Sequence, residues 1–355
     1  MLFDALRGLA AIEVMLFHIT NLAHWQVLPS GYLAVDLFFL LSGFVLWNAY
    51  GGRLGNELSP QAFVRLRLVR LYPLFAIGLA FGVIRAFGAM AVGDPRAPAL
   101  LELLAQIAAS ALMIPSGFDQ TGLFPLNNPA WSLSLEMLIN VAFCLWLAHW
   151  SSRRLAAAVC MAAIALVLVA RHFGSLNLGW NVFDAVGGVP RCAFSFMLGV
   201  IIARHRLFIR HRYRAGAPLL IAVLALFTTI VAIDPGAALR PWYDLACVLF
   251  AFPAMIALTA DARLRDASVP VGMGLGELSY PLYAVHYPLI LPMMMVCAKL
   301  GIGGPARMAV IAVGCLAIAA ALIPIDRAIR RTLASRRGRP FILNVPGAPQ
   351  PAVAK

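Results

Sequence analysis

The first apolar stretch of the chain, LRGLAAIEVMLFHITNLAHW, contains an arginine and a histidine eleven residues apart, Arg7 and His18. On an α-helix with about 3.6 residues per turn, these positions lie within about 20° of one face and about 16 Å apart along the axis. Ionisable side chains inside a span usually face a bundle interior or a wet cavity, and an imidazole can act as a base near neutral pH. The pair indicates a functional site. The alternative is that Arg7 reaches the headgroups and His18 hydrogen-bonds a neighbouring helix.

Two further arginines, Arg67 and Arg70, lie three residues apart in RLRLVRLYP, ahead of the third apolar segment. On a helix they share a face. Two guanidinium groups so placed suit a pyrophosphate or a ribose phosphate, through bidentate hydrogen bonds. Ordinary anchoring of basic residues at the cytoplasmic surface is the alternative for each of them.

The second apolar segment begins GYLAVDLFFLLSGF and carries Asp36 and Ser42. A carboxylate near the start of a span is a candidate site residue, although the helix dipole alone also favours an acid there. Ser42 and the glycine that follows it allow close packing of helices.

The stretch NNPAWSLSLEMLINVAF places Trp131 at the membrane interface, where aromatic side chains are enriched, and Glu136 five residues further along the chain. Five residues of helix rise about 7.5 Å, so Glu136 is buried by about a turn and a half. A carboxylate at this depth needs a compensating partner, for which His18 and Arg191 are the candidates.

The segment LGELSYPLYAVHYPLI brings Tyr283 and His286 three residues apart, on one face of a helix. Pro281 and Pro288 predict a bent or irregular helix, which suits a cavity wall better than a lipid-facing surface. Tyrosine is also common in the interfacial belt of membrane proteins, which is the alternative for Tyr283.

The composition is that of a membrane protein. The 355 residues are 62% hydrophobic and 12% charged, with a mean hydropathy of +0.86, whereas soluble domains average about 25% charged residues. The net charge of +13 comes from short basic loops between apolar runs, as the positive-inside rule describes, and not from the basic stripe of a nucleic-acid-binding protein. We therefore predict an all-α polytopic membrane protein that binds no nucleic acid.

Eleven apolar segments follow one another along the chain, near 5–25, 31–50, 71–92, 98–115, 130–150, 155–173, 183–203, 216–234, 242–260, 273–297 and 306–325. The segment 98–115 is short and partly polar, and we expect it to lie at the interface or to re-enter. With the other ten as spans, 20 basic residues besides the terminal Lys355 fall on one side of the membrane and five on the other, which places both termini in the cytoplasm. The prediction is one domain of about ten transmembrane helices, 1–326, and a basic cytoplasmic tail, 327–355, that is disordered.

The cysteines and histidines give little support for a metal site. All six cysteines are widely spaced within apolar segments and form no paired motif. Four side chains are of types that can bind a metal: His18, His286, Asp36 and Glu136. Their spacing along the chain does not match a local metal-binding motif. We predict that the chain binds no metal.

Five stretches in this order, FDALRGLAAIEVMLFH, GYLAVDLFFLLSGF, RLRLVRLYP, NNPAWSLSLE and LGELSYPLYAVHYP, resemble the integral-membrane acyltransferase 3 family. The family includes O-acetyltransferases of bacterial surface polysaccharides, and the resemblance covers about residues 3–325. It implies ten spans in the inner (plasma) membrane, acyl-coenzyme A (most often acetyl-CoA) as a cytoplasmic co-substrate, and a sugar hydroxyl as acceptor. Family members usually have several residues ahead of the element that begins at Asp4, which implies an upstream start or a short N-terminal anchor.

Carried over residue by residue, the resemblance assigns Arg7 and His18 to the family's essential Arg–His pair, and Arg67 and Arg70 to its donor-associated Arg-x-x-Arg pair. Six other side chains fall on characteristic positions whose roles are less settled: Asp36, Ser42, Trp131, Glu136, Tyr283 and His286. Some members append a C-terminal hydrolase-like domain. Without one, we expect the acceptor to be handled by the membrane domain or by a partner such as a polysaccharide-assembly protein.

The expected reaction moves an acyl group, most simply acetyl, to a hydroxyl of a cell-surface or lipid-linked carbohydrate. His18 would be the base, Arg7 would bind donor phosphate or stabilise charge near the thioester, and Glu136 would orient His18 or a hydroxyl. Direct transfer is favoured because no nucleophile-elbow serine motif is present, with a relay through an acylated residue as the alternative. A transporter or flippase of a lipid-linked sugar is the alternative function, although the chain shows no internal repeat of the kind found in transporters.

Overall fold

The computed structural model describes residues 2–116, 122–205, 213–264 and 268–335, and these are almost entirely helical. The α-helices of the first half are α1 (Leu2–Leu22), α2 (Ala34–Tyr50), α3 (Pro60–Ala91), α4 (Leu100–Ala111), α5 (Ala130–Leu145) and α6 (Ser152–Phe173). Those of the second half are α7 (Ala185–His205), α8 (Ala217–Ala232), α9 (Gly236–Ala246), α10 (Phe252–Thr259), α11 (Ser268–Lys299) and α12 (Gly304–Ser335). Shorter elements are two 3₁₀ turns (Gly31–Leu33, Leu147–His149), a π-helical turn (Cys247–Ala251) and a parallel pair of strands, β1 (Tyr213–Ala215) and β2 (Ala262–Leu264).

Each of the eleven predicted apolar segments coincides with a helix, and the ninth is formed by α9, the π-helical turn and α10 together. In the described part of the chain, seven helical stretches are long and apolar enough to cross a bilayer: Gly31–Tyr50, Pro60–Ala91, Ser152–Phe173, Ala185–His205, Gly236–Thr259, Ser268–Lys299 and Gly304–Leu333. The protein is therefore an all-α, multi-pass membrane protein.

The ten-span topology requires more than these seven stretches. The helices α4, α5 and α8 have 12, 16 and 16 residues, which makes them about 18–24 Å long, whereas the hydrocarbon core is about 30 Å thick. The 21-residue α1 carries Asp4, Arg7 and Glu13. Length alone does not distinguish α4, expected at the interface or re-entrant, from α5 and α8, expected to span, since all three are shorter than the hydrocarbon core. The number of spans and the cytoplasmic termini stay predictions.

Two helices extend beyond the predicted spans. The helix α3 begins at Pro60, and not near residue 71, so Arg67 and Arg70 lie inside a 32-residue helix. The helix α12 likewise continues to Ser335. Residues 336–355, which form most of the predicted tail, lie outside the described ranges.

Local sequence explains several helix ends. The side chain of Ser59 accepts a hydrogen bond from the Ala62 amide at 3.2 Å, which caps α3. Ser151 caps α6 in the same way, through the Arg154 amide at 3.4 Å. The helix α6 ends at Gly174, whose φ of +76° lies in the left-handed region that glycine adopts without steric cost.

The helix α11 runs through Pro281, Pro288 and Pro292 without interruption, so the predicted irregularity does not break it. Pro288 has no amide hydrogen and cannot bond to the carbonyl of Ala284, four residues earlier. The side-chain amide of Asn127 donates to that carbonyl instead, at 2.9 Å. A buried side chain thus satisfies the backbone group that the proline leaves open.

Glycines allow the central helices to approach closely. A Cβ atom at Gly43 in α2 would overlap the carbonyl oxygen of Phe196 in α7, and one at Gly199 in α7 would overlap that of Leu40. Gly8 brings α1 equally close to α11. Around these two pairs, the helices α1, α11, α3, α5, α7 and α2 contact one another in a closed order. This ring of six helices surrounds the polar groups considered next.

Candidate active site

A partly open cavity of about 230 Å³ lies within the ring of helices, lined by residues of α1, α2, α5, α7, α11 and nearby loops. His18 lies on its wall, and so do three of the other side chains discussed above, Trp131, Arg191 and Tyr283. The other polar or aromatic side chains of the wall are Phe17, Asn21, Tyr32, Asn128, Asn177, Trp180 and Tyr287. The histidine singled out in the sequence therefore faces a space that can admit a small ligand.

His18 stacks against a second histidine. The ring centroids of His18 and His286 are 5.3 Å apart and the ring planes are inclined by 28°. Tyr287 meets the His18 ring edge-on, with 5.1 Å between centroids. His286 is fully buried and is not part of the cavity wall. The fold thus brings together two histidines that the sequence indicated through separate motifs.

The hydrogen bonds of His286 define which of its nitrogens is free. Its Nδ1 lies 3.0 Å from the carbonyl oxygen of Leu282 and 3.1 Å from that of Tyr283. Because carbonyl oxygens only accept, Nδ1 carries the hydrogen and Nε2 is the acceptor of the neutral ring. That Nε2 atom is buried and has no hydrogen-bond partner among the described residues. Several buried polar atoms among the described residues lack a partner, and this one belongs to the ring that stacks on His18.

Tyr283 contributes a hydroxyl to the cavity wall. Its oxygen lies 2.5 Å from the hydroxyl of Ser132, and the Ser132 hydroxyl lies 3.0 Å from the carbonyl of Pro129. Tyr283 also lies 3.5 Å from the carbonyl of Pro129, so either hydroxyl can be the donor in the bond between Tyr283 and Ser132. This chain of bonds fixes the Tyr283 side chain at the start of α5.

Asp36 forms a buried ion pair with Arg191. The Arg191 Nη2 lies 2.6 Å from Asp36 Oδ2, and Nε lies 3.2 Å from both carboxylate oxygens. Arg191 also donates to the carbonyls of Leu178 at 2.6 Å and Tyr32 at 3.0 Å. Its guanidinium carbon lies 5.4 Å from the ring centroid of Trp131. Asp36 therefore neutralises the arginine of the cavity wall.

A basic cluster, consisting of Arg7, Arg67 and Arg70, lies at the other end of α1. Arg67 donates to Oε1 of Glu136 at 3.0 Å, and Ser42 donates to the same atom at 3.0 Å. Arg7 and Arg70 repel each other electrostatically, and neither guanidinium has a hydrogen-bond partner among the described residues. Asp4 attracts Arg7 and Asp326 attracts Arg70, but only at longer range than a hydrogen bond. Two guanidinium groups without a hydrogen-bonded counter-charge therefore lie beside one neutralised pair, an arrangement whose charge suits an anionic ligand.

The expected contact between Glu136 and His18 or Arg191 is wrong, because Glu136 pairs with Arg67. The helix α5 packs against α3, which brings this carboxylate to the basic cluster. Arg191 is already paired with Asp36. The depth of Glu136 correctly indicated a need for a partner, but the partner is set by tertiary packing.

Arg7 and His18 thus lie on one face of α1 and in different surroundings. Arg7 belongs to the basic cluster and His18 to the cavity wall. The eleven residues between them correspond to a rise of about 16 Å. Val14, on the same face, also lines the cavity. This face of α1 connects an anion site with a histidine-bearing cavity.

The four side chains considered as metal ligands do not lie together in the structure. His18 and His286 stack on each other, whereas Asp36 and Glu136 pair with arginines in separate places. In the described ranges, no group of three or more His, Cys, Asp or Glu side chains is arranged to hold a metal ion.

Sequence reasoning missed several residues of the cavity wall. Asn177 and Trp180 lie in the segment 174–184 between α6 and α7. Asn128 lies three residues before Trp131, and Tyr287 directly follows His286. The available signal was a run of Ser, Asn, Gly and Trp between two long apolar segments. Such loops carry binding residues more often than helices do, but the sequence alone does not show which apolar helices enclose them.

Comparison with known proteins identifies the family. The model of the acyltransferase domain of the acyltransferase 3 family matches residues 2–325. The putative membrane-bound transacylase BcsY of Komagataeibacter xylinus is 30% identical over 309 residues, covering 80% of this chain and 71% of that protein. The exopolysaccharide production protein ExoZ of Rhizobium meliloti is 28% identical over 332 residues (91% and 96%). The acyltransferase MdmB of Streptomyces mycarofaciens is 28% identical over 320 residues (80% and 77%).

No solved structure matches the chain. The family match extends over nearly all of the membrane helices and includes the motifs that carry Arg7, Arg67, Arg70 and His18. The predicted family resemblance is confirmed: the chain belongs to the acyltransferase 3 family and is an enzyme that transfers acyl groups.

Proposed function

We propose that the enzyme transfers an acyl group, most simply acetyl, from acyl-coenzyme A to a hydroxyl of a cell-surface or lipid-linked carbohydrate, in the inner (plasma) membrane. The observation that carries the proposal is the position of His18, on a cavity wall and on the same face of α1 as the basic cluster. The relative named as an exopolysaccharide production protein supports a carbohydrate acceptor.

The basic cluster is suited to the phosphate groups of the donor. Arg7 and Arg70 lack hydrogen-bond partners among the described residues, and guanidinium groups bind phosphate bidentately. About twelve bonds separate the pyrophosphate of coenzyme A from its sulfur, which equals about four residues of extended chain, or about 14 Å. The rise of about 16 Å from Arg7 to His18 matches this length. Arg7 accordingly binds phosphate and does not act at the thioester.

The transfer itself needs a base at the acceptor hydroxyl. The hydroxyl oxygen attacks the thioester carbonyl carbon while His18 takes the hydroxyl proton. The carbon–sulfur bond then breaks, and the proton passes from the imidazolium to the thiolate, so coenzyme A leaves as a thiol. The stacked ring of His286 holds His18 in place, with 5.3 Å between ring centroids. Glu136 acts on the donor side, where it orients Arg67.

The test compares His18→Gln with His172→Gln, which changes an exposed histidine at the end of α6. Membranes containing each variant are incubated with radiolabelled acetyl-CoA and extracted host glycans. We expect label in the glycan with the parent chain and with His172→Gln, and a loss of at least about 100-fold with His18→Gln, because a positioned general base contributes about 10²–10⁴-fold.

Transfer by His18→Gln at the parent rate would exclude His18 as the base. Consumption of donor without label in any glycan would point to another acceptor class. A lipid-linked sugar that crosses the membrane with no donor consumed would instead favour transport. If partner polysaccharide-assembly proteins supply the acceptor, extracts that contain them will support faster labelling than purified glycan.

A further inference from the structure

We infer that the segment 174–184, between α6 and α7, forms a preorganised subsite for a single uncharged sugar ring. Trp180 supplies a stacking surface and Asn177 supplies hydrogen bonds to a ring hydroxyl. Both side chains line the cavity that His18 faces. The inference rests on the proposed function and names the chemistry of its acceptor.

The first half of the segment is held by one buried carboxylate. Asp244 in α9 is 0% exposed and accepts hydrogen bonds from the Leu176 amide at 2.8 Å and the Ser175 hydroxyl at 3.0 Å. The Ser175 oxygen in turn accepts from the Asn177 amide at 2.9 Å. The backbone on either side of the Asn177 side chain is therefore fixed before any ligand enters.

The second half is held by Asp184. Its Oδ1 accepts from the Gly179 amide at 2.8 Å and the Asn181 amide at 3.2 Å, and Oδ2 accepts from the Asn181 side chain at 2.5 Å. Gly179 has a φ of +100°, a conformation that only glycine adopts readily. A Cβ there would lie 2.7 Å from the Trp131 ring and from the backbone of Gly188. The glycine is thus required for the segment to fit against the cavity wall.

Trp180 is fixed by the same framework. Its indole Nε1 donates to the Asn177 carbonyl at 3.3 Å, and its own carbonyl accepts from the Leu123 amide at 2.8 Å. A rigid aromatic side chain loses little conformational entropy on binding. The C–H groups of a sugar ring carry partial positive charge and are attracted to the negative face of an aromatic ring.

The cavity wall suits a neutral ligand. Amide side chains both donate and accept hydrogen bonds, as sugar hydroxyls do, and three of them lie on the wall, Asn21, Asn128 and Asn177. The one arginine on the wall, Arg191, is neutralised by Asp36 at 2.6 Å. A carboxylate-bearing sugar would find no unpaired cation among these wall residues.

The size of the cavity limits how much of a ligand it can enclose. A cavity of about 150 Å³ accommodates benzene, so the cavity of about 230 Å³ takes one six-membered ring with its substituents. The subsite therefore holds one sugar residue of the acceptor, and the rest of the carbohydrate lies outside the cavity.

The test measures binding separately from catalysis. The full-length chain in lipid nanodiscs is titrated with methyl glycosides of glucose, galactose, mannose and glucuronic acid, followed by saturation-transfer NMR. Trp180→Ala and Asn177→Ala are compared with Trp146→Ala, which changes a 57% exposed tryptophan at the end of α5 that is not part of the cavity wall. Label transfer from acetyl-CoA is measured on the same samples.

We expect at least one neutral glycoside to bind the parent chain more tightly than the glucuronide does. Trp180→Ala should weaken that binding by about fivefold, the effect of one aromatic contact, while Trp146→Ala leaves it unchanged. Equal binding by Trp180→Ala and the parent, preference for the glucuronide, or no binding of any neutral glycoside would overturn the subsite. Binding as expected without label transfer would count against the acyltransferase proposal alone.

Discussion

The ionic side chains inside the helical ring divide into paired and unpaired groups. Asp36 neutralises Arg191, and Glu136 neutralises Arg67. An unpaired charge inside a membrane protein is expensive and commonly marks a functional site. Arg70, which the sequence predicted with Arg67 as a donor-binding residue, has no hydrogen-bond partner among the described residues, and Glu136 and Asp326 attract it only at longer range.

We predict that Arg70→Gln raises the apparent KM for acetyl-CoA by about tenfold or more, because a hydrogen bond to a charged group contributes about 1.5–3 kcal/mol. The rate at saturating donor should change little. Arg65→Gln, at an exposed position of the same helix, removes the same charge from α3 and serves as the control. Initial rates at varied donor concentration give both quantities. An equal KM in the two variants would exclude Arg70 from donor binding.

At the scale of helices, the structure depends on two close crossings, α2 with α7 and α1 with α11. Hydrophobic burial alone does not hold helices together in lipid, so packing of small residues does. At Gly43 the partner backbone occupies the place that a side chain would take, whereas a Cβ at Gly88 in α3 would meet no atom within 4 Å.

We predict that Gly43→Val destabilises the protein by at least about 2 kcal/mol, as overpacking of a dense interior does. Gly88→Val is the matched control and should leave stability within about 0.5 kcal/mol, as surface substitutions usually do. The midpoint of thermal unfolding in detergent compares the two variants with the parent chain. Similar midpoints for Gly43→Val and Gly88→Val would contradict the α2–α7 crossing.

The sequence predicted helices more successfully than it predicted side-chain partners. Hydropathy located every apolar segment, and the helical repeat correctly placed Arg7 and His18 on one face of α1. The pairs Glu136–Arg67 and Asp36–Arg191 join different helices, and no local spacing specifies which helices meet. Trp180 lies in a segment without periodicity, so its place on the cavity wall depends on the tertiary fold. The start of α3 was placed eleven residues late, because the charged turns ahead of residue 71 are not apolar.

At the scale of the whole molecule, the basic cluster and the His18 cavity lie at opposite ends of one face of α1. A cytoplasmic donor then requires that the end of α1 with Arg7 faces the cytoplasm. The distribution of basic loops predicts the same orientation, with the loop that contains Arg53 inside and the loop that contains Arg96 outside. These two loops precede and follow α3.

We predict that an impermeant thiol reagent added to intact cells labels Arg96→Cys but not Arg53→Cys, each placed in a variant without the native cysteines. Both arginines are exposed, with side-chain accessibilities of 93% and 49%, so permeabilised cells should label both. Labelling of Arg53→Cys alone would reverse the orientation. Labelling of both in intact cells would show that α3 does not cross the membrane.

The ion pair between Asp36 and Arg191 also bears on how the protein assembles. The close approach at Gly43 and Gly199 already favours one register of α2 against α7, and the ion pair adds an electrostatic restraint on their alignment. If α2 and α7 were displaced by one turn, about 5.4 Å, both charges of this fully buried pair would be left without a counter-charge in hydrocarbon. The pair therefore admits a single vertical alignment of α2 and α7. That alignment brings Trp131, Tyr32 and the carbonyl of Leu178 to the same arginine, so one insertion register also completes the wall on which an acceptor sugar would bind.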